Sequence, residues 1–246
     1  MMAERISGVH PTDTMPAPST ASAFALSSPA PRLGGRVWLD FVNTDDEHRG
    51  RRVEHLIDFA AWTRWLADAG VLDAERATQL ERRAHEQPMG AQAALVDARR
   101  VRNALRTLAE RGASQERARD GALAEINRVL GRSAGTRSVE AGPAGFSRSF
   151  RAGGDVFGGL LLPIVESAAE ALVAGEIARV KRCQGQGCAR VYLDLTRNRS
   201  RRWCAMADCG NRAKAARHRS RRQAPPPRKA TTPLRPRSPA ARPLGS

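Results

Sequence analysis

All four cysteines of this 246-residue chain, Cys183, Cys188, Cys204 and Cys209, fall within 27 residues, and none occurs in the 182 residues before them. The spacing is C-x4-C, fifteen intervening residues, then C-x4-C. Zinc is satisfied by a tetrahedron of ligands, and two pairs of thiolates, each delivered by one short loop, close that shell while fixing few other residues. Residues 1–31 have no basic segment followed by an apolar core, so the chain is read as cytoplasmic, where clustered thiols favour metal over disulfides. A redox thiol pair is the alternative. If protein fills all four positions, the site holds one structural Zn2+ and has no opening for a substrate.

The residues around the cysteines predict how the loops are built. Gly185 and Gly187 between Cys183 and Cys188 allow the positive φ values of a tight knuckle. Arg190–Asp194 alternates as a strand, and Arg179–Arg182 is placed to pair back with it as a hairpin. From Ala205 to about Arg221 the chain is rich in Ala, Arg and Lys and lacks β-branched residues, which predicts a helix beginning at the second cysteine pair. Knuckle, hairpin and helix around one ion make a treble-clef-like zinc finger.

Charge is concentrated in the same place. The formal net charge is +16, and residues 181–246 carry 18 basic and 2 acidic residues, so everything before them is neutral overall. Codon bias alone could favour Arg over Lys, 38 to 3, but not this segregation. A basic surplus of this kind seeks polyanions. Arg197, Arg199, Arg201, Arg202, Asn211, Arg212, Lys214 and Arg217 are the candidate nucleic-acid contacts, with double-stranded DNA the expected partner. Arg202, Asn211 and Arg212 have the chemistry to read bases, although Asn211 equally suits a helix cap and Trp203 suits packing beside the metal. An RNA-binding or protein-interaction module is the competing reading. A DNA-bound chain would be nucleoid-associated.

The region before the finger reads as mainly α. Val37–Val42 is a short apolar strand or helix ending in the polar turn Asn43-Thr44-Asp45-Asp46. Phe59, Trp62, Leu66 and Ala69 recur at helical spacing up to Gly70, and Asp73 is a plausible cap for a helix through about Glu86. Further helices are expected over about 91–110 and 115–130, the latter with Gly131 just past its end, followed by a small hairpin around 137–140 and 146–151. A last helix carries Val156 to Leu172, with Pro163 implying a kink or a late start. Asp40 and Asn43, with Asp45, Asp46, Glu47 and His48, are candidates to line a small-ligand site; a turn with capping residues is the plainer alternative. In a regulator such a domain would sense a ligand or form a homodimer. Composition predicts disorder for residues 1–34 and for the Pro-rich basic tail 223–246, leaving a helical domain at 35–178 and the finger at 179–222.

No run approaches the ~20 apolar residues of a membrane span. There is no P-loop, G-x-G-x-x-G, H-E-x-x-H or G-x-S-x-G, and the histidines are scattered, so no enzyme is expected.

The segment Arg201-Arg202-Trp203-Cys204-Ala205-Met206-Ala207-Asp208-Cys209-Gly210-Asn211-Arg212-Ala213-Lys214 resembles the CGNR zinc finger of bacterial proteins, whose tetrapeptide stands at 209–212. Tyr192, Asp194 and the upstream cysteine pair are similar to the rest of that finger. Leu39–Thr44, followed by a helix ending Trp65-Leu66-Ala67-Asp68-Ala69-Gly70, resembles the ABATE domain that usually precedes it. Together the resemblances span about 35–222 and imply a stress-induced transcription regulator.

Overall fold

A computed structural model describes residues 30, 32–111, 116–132, 135–142, 145–152 and 157–223. The expectations of disorder for the leader and tail fall almost wholly outside these residues. The chain opens with α1 (Val37–Val42), then the hairpin β1 (Asp45–His48) and β2 (Arg51–Glu54). Four helices follow: α2 (Phe59–Asp68), α3 (Ala74–Glu86), α4 (Pro88–Arg111) and α5 (Glu116–Arg132). A second antiparallel hairpin, β3 (Gly135–Gly142) with β4 (Gly145–Ala152), leads on to α6 (Leu162–Val173). The finger comprises β5 (Val180–Arg182), β6 (Val191–Leu193), a π turn at Met206–Gly210 and α7 (Asn211–Gln223). The architecture is therefore mainly helical, with small antiparallel hairpins and a C-terminal finger.

Local signals set most of the boundaries. The Asp58 and Asp73 carboxylates accept from the backbone N–H of Ala61 at 2.6 Å and Arg76 at 2.7 Å, capping α2 and α3. α6 starts late, with Pro163 in its first turn where a missing N–H costs nothing. Gly131 lies inside α5 and not beyond it, since that helix runs on to Arg132.

The core is centred on α1. Trp38, Leu39, Phe41 and Val42 are all buried, and Phe41 meets Trp65 of α2 with ring centroids 5.3 Å apart. Leu95, Ala98, Val101, Leu105 and Leu108 of α4 form the opposite wall, with Ile164, Val165 and Ala168 of α6 beside them. Val191 and Leu193 of β6 belong to the same apolar cluster. The finger's own strand is thus part of the core of the preceding domain.

The β1–β2 hairpin, which the sequence reading took as a polar turn, completes that union. His48 pairs with Arg51 across a two-residue turn in which Arg49 has φ 55 and Gly50 has φ 70, the left-handed pair that matches the twist of a tight hairpin. Three arginines one helical turn apart on α4 hold the hairpin and its flanks from behind. Arg99 donates to the Leu56 carbonyl, Arg102 forks onto Glu54 and reaches Thr44, and Arg106 donates to the carbonyls of Val42 and Asp45. Arg102 is 3% exposed, and Glu54 supplies the counter-charge that this burial requires.

Candidate metal centre and nucleic-acid interface

The β5–β6 hairpin sets the spacing of the first cysteine pair: Lys181 faces Tyr192, and the Cys183 N–H donates to the Arg190 carbonyl at 2.8 Å. Between the cysteines the chain turns back at Gly187, φ 63. Gly185 is required for a different reason, since a Cβ there would lie 2.8 Å from the Cys209 sulfur. Of the second pair, Cys204 stands two residues before the π turn and Cys209 lies within it, two residues before α7 begins at Asn211.

All four cysteines are buried, unbridged, and within 4.8 Å of one another at sulfur. The Cys204 sulfur lies 3.7 Å from that of Cys209 and 3.9 Å from that of Cys188. A tetrahedron with Zn–S bonds of ~2.3 Å has edges of about 3.8 Å. Donors converge on the sulfurs as they would on thiolates. The Gly185 and Cys204 N–H groups donate to Cys183 at 3.4 and 3.3 Å, and the Arg212 guanidinium donates to Cys209 at 3.0 Å. Three of the thiols are pushed in opposite directions. Hydrogen bonds from Cys188 and Cys204 hold Cys183 well below the ordinary thiol range; losing those bonds on deprotonation pushes Cys188 up to about 12 and Cys204 higher still. A dication relieves that conflict by binding all four as thiolates, and the net charge of −2 that remains is met by donors such as Arg212. The donor set fits one structural zinc, which would cross-link the two cysteine pairs. His48 Nδ1, 4.0 Å from the Cys209 sulfur, sits outside the tetrahedron.

The finger is further held by a buried carboxylate. Asp194 is fully buried; that burial alone would raise its pKa, but Lys181 at 2.7 Å, together with the Thr196 hydroxyl and N–H, holds it well below the usual carboxylate range. Tyr192 is also fully buried, which pushes its hydroxyl up to about 12, and it donates to the Arg201 carbonyl at 2.8 Å.

The candidate nucleic-acid contacts separate into two groups. Arg201 and Arg212 are turned inward. The Arg201 guanidinium lies 4.1 Å from the Tyr192 ring centroid and donates to the carbonyls of Leu33, Leu193, Trp203 and Cys204, while Arg212 serves Cys209 and lies 3.5 Å from Asp208. Asn211, the first residue of α7, donates its side-chain amide to the Ala207 carbonyl at 3.2 Å, a local bond back to the π turn and not an N-cap. Arg197, Arg199, Arg202, Lys214 and Arg217 are exposed. Arg202 is braced by Gln184 at 2.6 Å and lies 5.4 Å from the Trp203 ring. α7 has no buried residue. Between it and the knuckle runs a groove of ≈ 920 Å3 lined by Arg202, Arg212, Arg217 and Arg219 and by Arg49 of the β1–β2 turn. Arg212, Arg217 and Arg219 of α7 all line it.

Asp40 and Asn43, candidates for a ligand site, are both buried and their side chains are taken up by backbone. Asp40 accepts from the Gly34 N–H at 2.7 Å. Asn43 makes a two-point bond with β6, donating to the Val191 carbonyl and accepting from its N–H, both at 2.9 Å. Asp46 forks onto Arg190, with 2.8 Å to Nε, and both side chains are almost wholly buried. The Glu47 carbonyl accepts from the Ala189 N–H at 2.8 Å and the Gly187 carbonyl from the Gly50 N–H at 3.0 Å. The polar cluster is the joint on which the finger is mounted. In the sequence the nearest cations to these acids are Arg49, Arg51 and Arg52, and Arg52 does pair with Asp45; only the fold shows that the partner of Asp46 is Arg190, 144 residues on.

Deleting an inward arginine and an outward one should separate scaffold from contact. Arg201→Ala is expected to lower the melting temperature and zinc retention without changing the salt slope of DNA binding by the surviving folded protein. Arg217→Ala is expected to leave melting unchanged and to flatten that slope by ~0.9. Differential scanning fluorimetry with zinc assay and anisotropy titrations reads both.

Two family models match the chain. A family model described as "Putative stress-induced transcription regulator", ABATE, matches residues 35–176, and the CGNR zinc-finger model matches residues 179–222. A search of curated proteins gives no match. No helix among the described residues is long and apolar enough to cross a membrane. With the first model covering more than half of the sequence and the second following directly, the chain belongs to the ABATE family and carries a CGNR zinc finger.

Proposed function

We propose that this chain is a DNA-binding transcription regulator whose zinc-ordered finger lays α7 and the adjoining groove against the phosphate backbone of a duplex. The observation that carries the reading is α7 itself. A helix that presents Lys214, Arg217, Arg219, Arg221 and Arg222 to the outside and has no buried residue gains little from the core, and the long basic side chains repel one another unless an anion joins them. Its partner must be extended and negatively charged, and the family description supplies the transcriptional setting. Phosphate contacts fix position and not sequence, so base choice falls to the outward Arg202 and to α7.

Fluorescence anisotropy of the full chain on duplex DNA across a salt series tests the proposal. Affinity should fall with log salt at a slope of about −0.9 per phosphate neutralised, and zinc chelation should abolish it. Binding no tighter than that of a scrambled peptide of α7 would overturn it, as would a stable protein partner recovered after nuclease treatment with no DNA retained.

A further inference from the structure

We infer that Arg49, carried by the N-terminal domain, is a phosphate-binding residue of the groove, so that the DNA site is composite and incomplete without the β1–β2 hairpin. This rests on the reading that a DNA backbone occupies the groove.

Arg49 stands 159 residues before Asp208, yet its Nη2 lies 3.1 Å from that carboxylate and its side chain lines the groove while remaining 64% exposed. The placement is built. Arg49 is held at φ 55 by the hairpin turn, which puts a non-glycine residue in a conformation it seldom adopts. The Gly50 N–H next to it is tied to the Gly187 carbonyl, and Gly187 has no room for a side chain, since a Cβ there would lie 2.5 Å from the Gly50 nitrogen. The hairpin tip is thereby set on the knuckle at backbone contact. Asp208 also lies 2.6 Å from His48 Nε2 and 3.5 Å from Arg212, so its one charge is shared among several partners. It orients the Arg49 guanidinium through one of five donors and leaves the fork able to meet a phosphate. The backbone contact of Gly50 with Gly187 already seats the hairpin on the knuckle, so the exposed Arg49 guanidinium has capacity left for the groove beyond its one bond to Asp208.

The test is a salt series of duplex-DNA affinity on the full chain. Arg49→Asn removes the charge with a residue that tolerates positive φ. It should flatten the log–log slope by ~0.9 and weaken binding roughly five- to tenfold at ~0.1 M salt, with zinc content unchanged. Arg51→Gln removes the same charge from an exposed position on the same hairpin that does not line the groove, and should leave the slope unaltered. Arg49→Lys should keep the wild-type slope, which covers the case in which Arg49→Asn loses zinc. Equal losses in Arg49→Asn and Arg51→Gln, or none in either, overturn the inference and leave DNA binding by the finger standing. Absence of salt-dependent duplex binding by the unaltered chain overturns the underlying reading instead.

Discussion

Cys204→Ser is expected to yield a chain with well under one equivalent of zinc, no measurable duplex-DNA affinity, and a lowered melting temperature for the N-terminal helices as well as the finger. The first two effects follow from the metal site. A hydroxyl stays protonated where a thiolate would bind, and three ligands do not close the tetrahedron. Structural zinc couples about 10–16 kcal/mol of binding to folding in isolated fingers, as large as the whole stability of a typical domain. Beyond that cross-link the finger buries little, its apolar cluster being the cysteines themselves, Tyr192, and the partly buried Leu33 and Trp203. The third effect distinguishes this molecule from a finger on a tether. Val191 and Leu193 sit in the main core, and Asn43 and Asp46 have their partners on β6 and just before it. Losing the metal therefore withdraws a strand from the core and leaves two buried polar side chains without partners. Far-ultraviolet circular dichroism and tryptophan fluorescence, with Trp38, Trp62 and Trp65 as reporters in the helical domain, should show one transition moving to lower temperature on chelation. Independent melting, with the helical transition unmoved, would sink the idea of a shared core.

The metal centre was legible because its ligands are close in sequence and chemically unlike everything else in the chain. The helices were legible from apolar spacing, as in α2, or from a cap, as at Asp73 of α3. What escaped was long-range polar pairing. Asp40, Asn43 and Asp46 carry no mark that tells a ligand site from a joint, because a carboxylate or amide serves both and its partner is more than a hundred residues away for Asn43 and Asp46. Arg99, Arg102 and Arg106 were overlooked because the apolar face of α4 was read without them. Three arginines spaced by three and four residues beside Leu95, Val101 and Leu105 were the available sign that one edge of that face meets acids and carbonyls. Arg201 was grouped with the phosphate contacts by charge alone, and only the position of Tyr192 and four carbonyls shows it to be an internal brace.

Breaking the joint without touching the metal gives the other large effect. Asn43→Ala removes one side chain but strands two buried backbone groups, the Val191 N–H and carbonyl, and is expected to cost about 2–4 kcal/mol in urea unfolding. Arg190→Ala leaves Asp46, whose side chain is 6% exposed, as an unpaired buried charge, and should cost about 3–5 kcal/mol. Asp46→Ala/Arg190→Ala removes both charges and should lose less than the two single changes added together, because most of each single loss is the isolated partner and not the bond. Additive losses would mean that the pair lies in water and that the domains meet elsewhere. In all of these variants the cysteines are untouched, so zinc should remain bound while the finger is less firmly seated. The slope of DNA binding with salt then reports whether Arg49 still faces the groove: a finger that keeps its zinc but loses the joint should bind like Arg49→Asn.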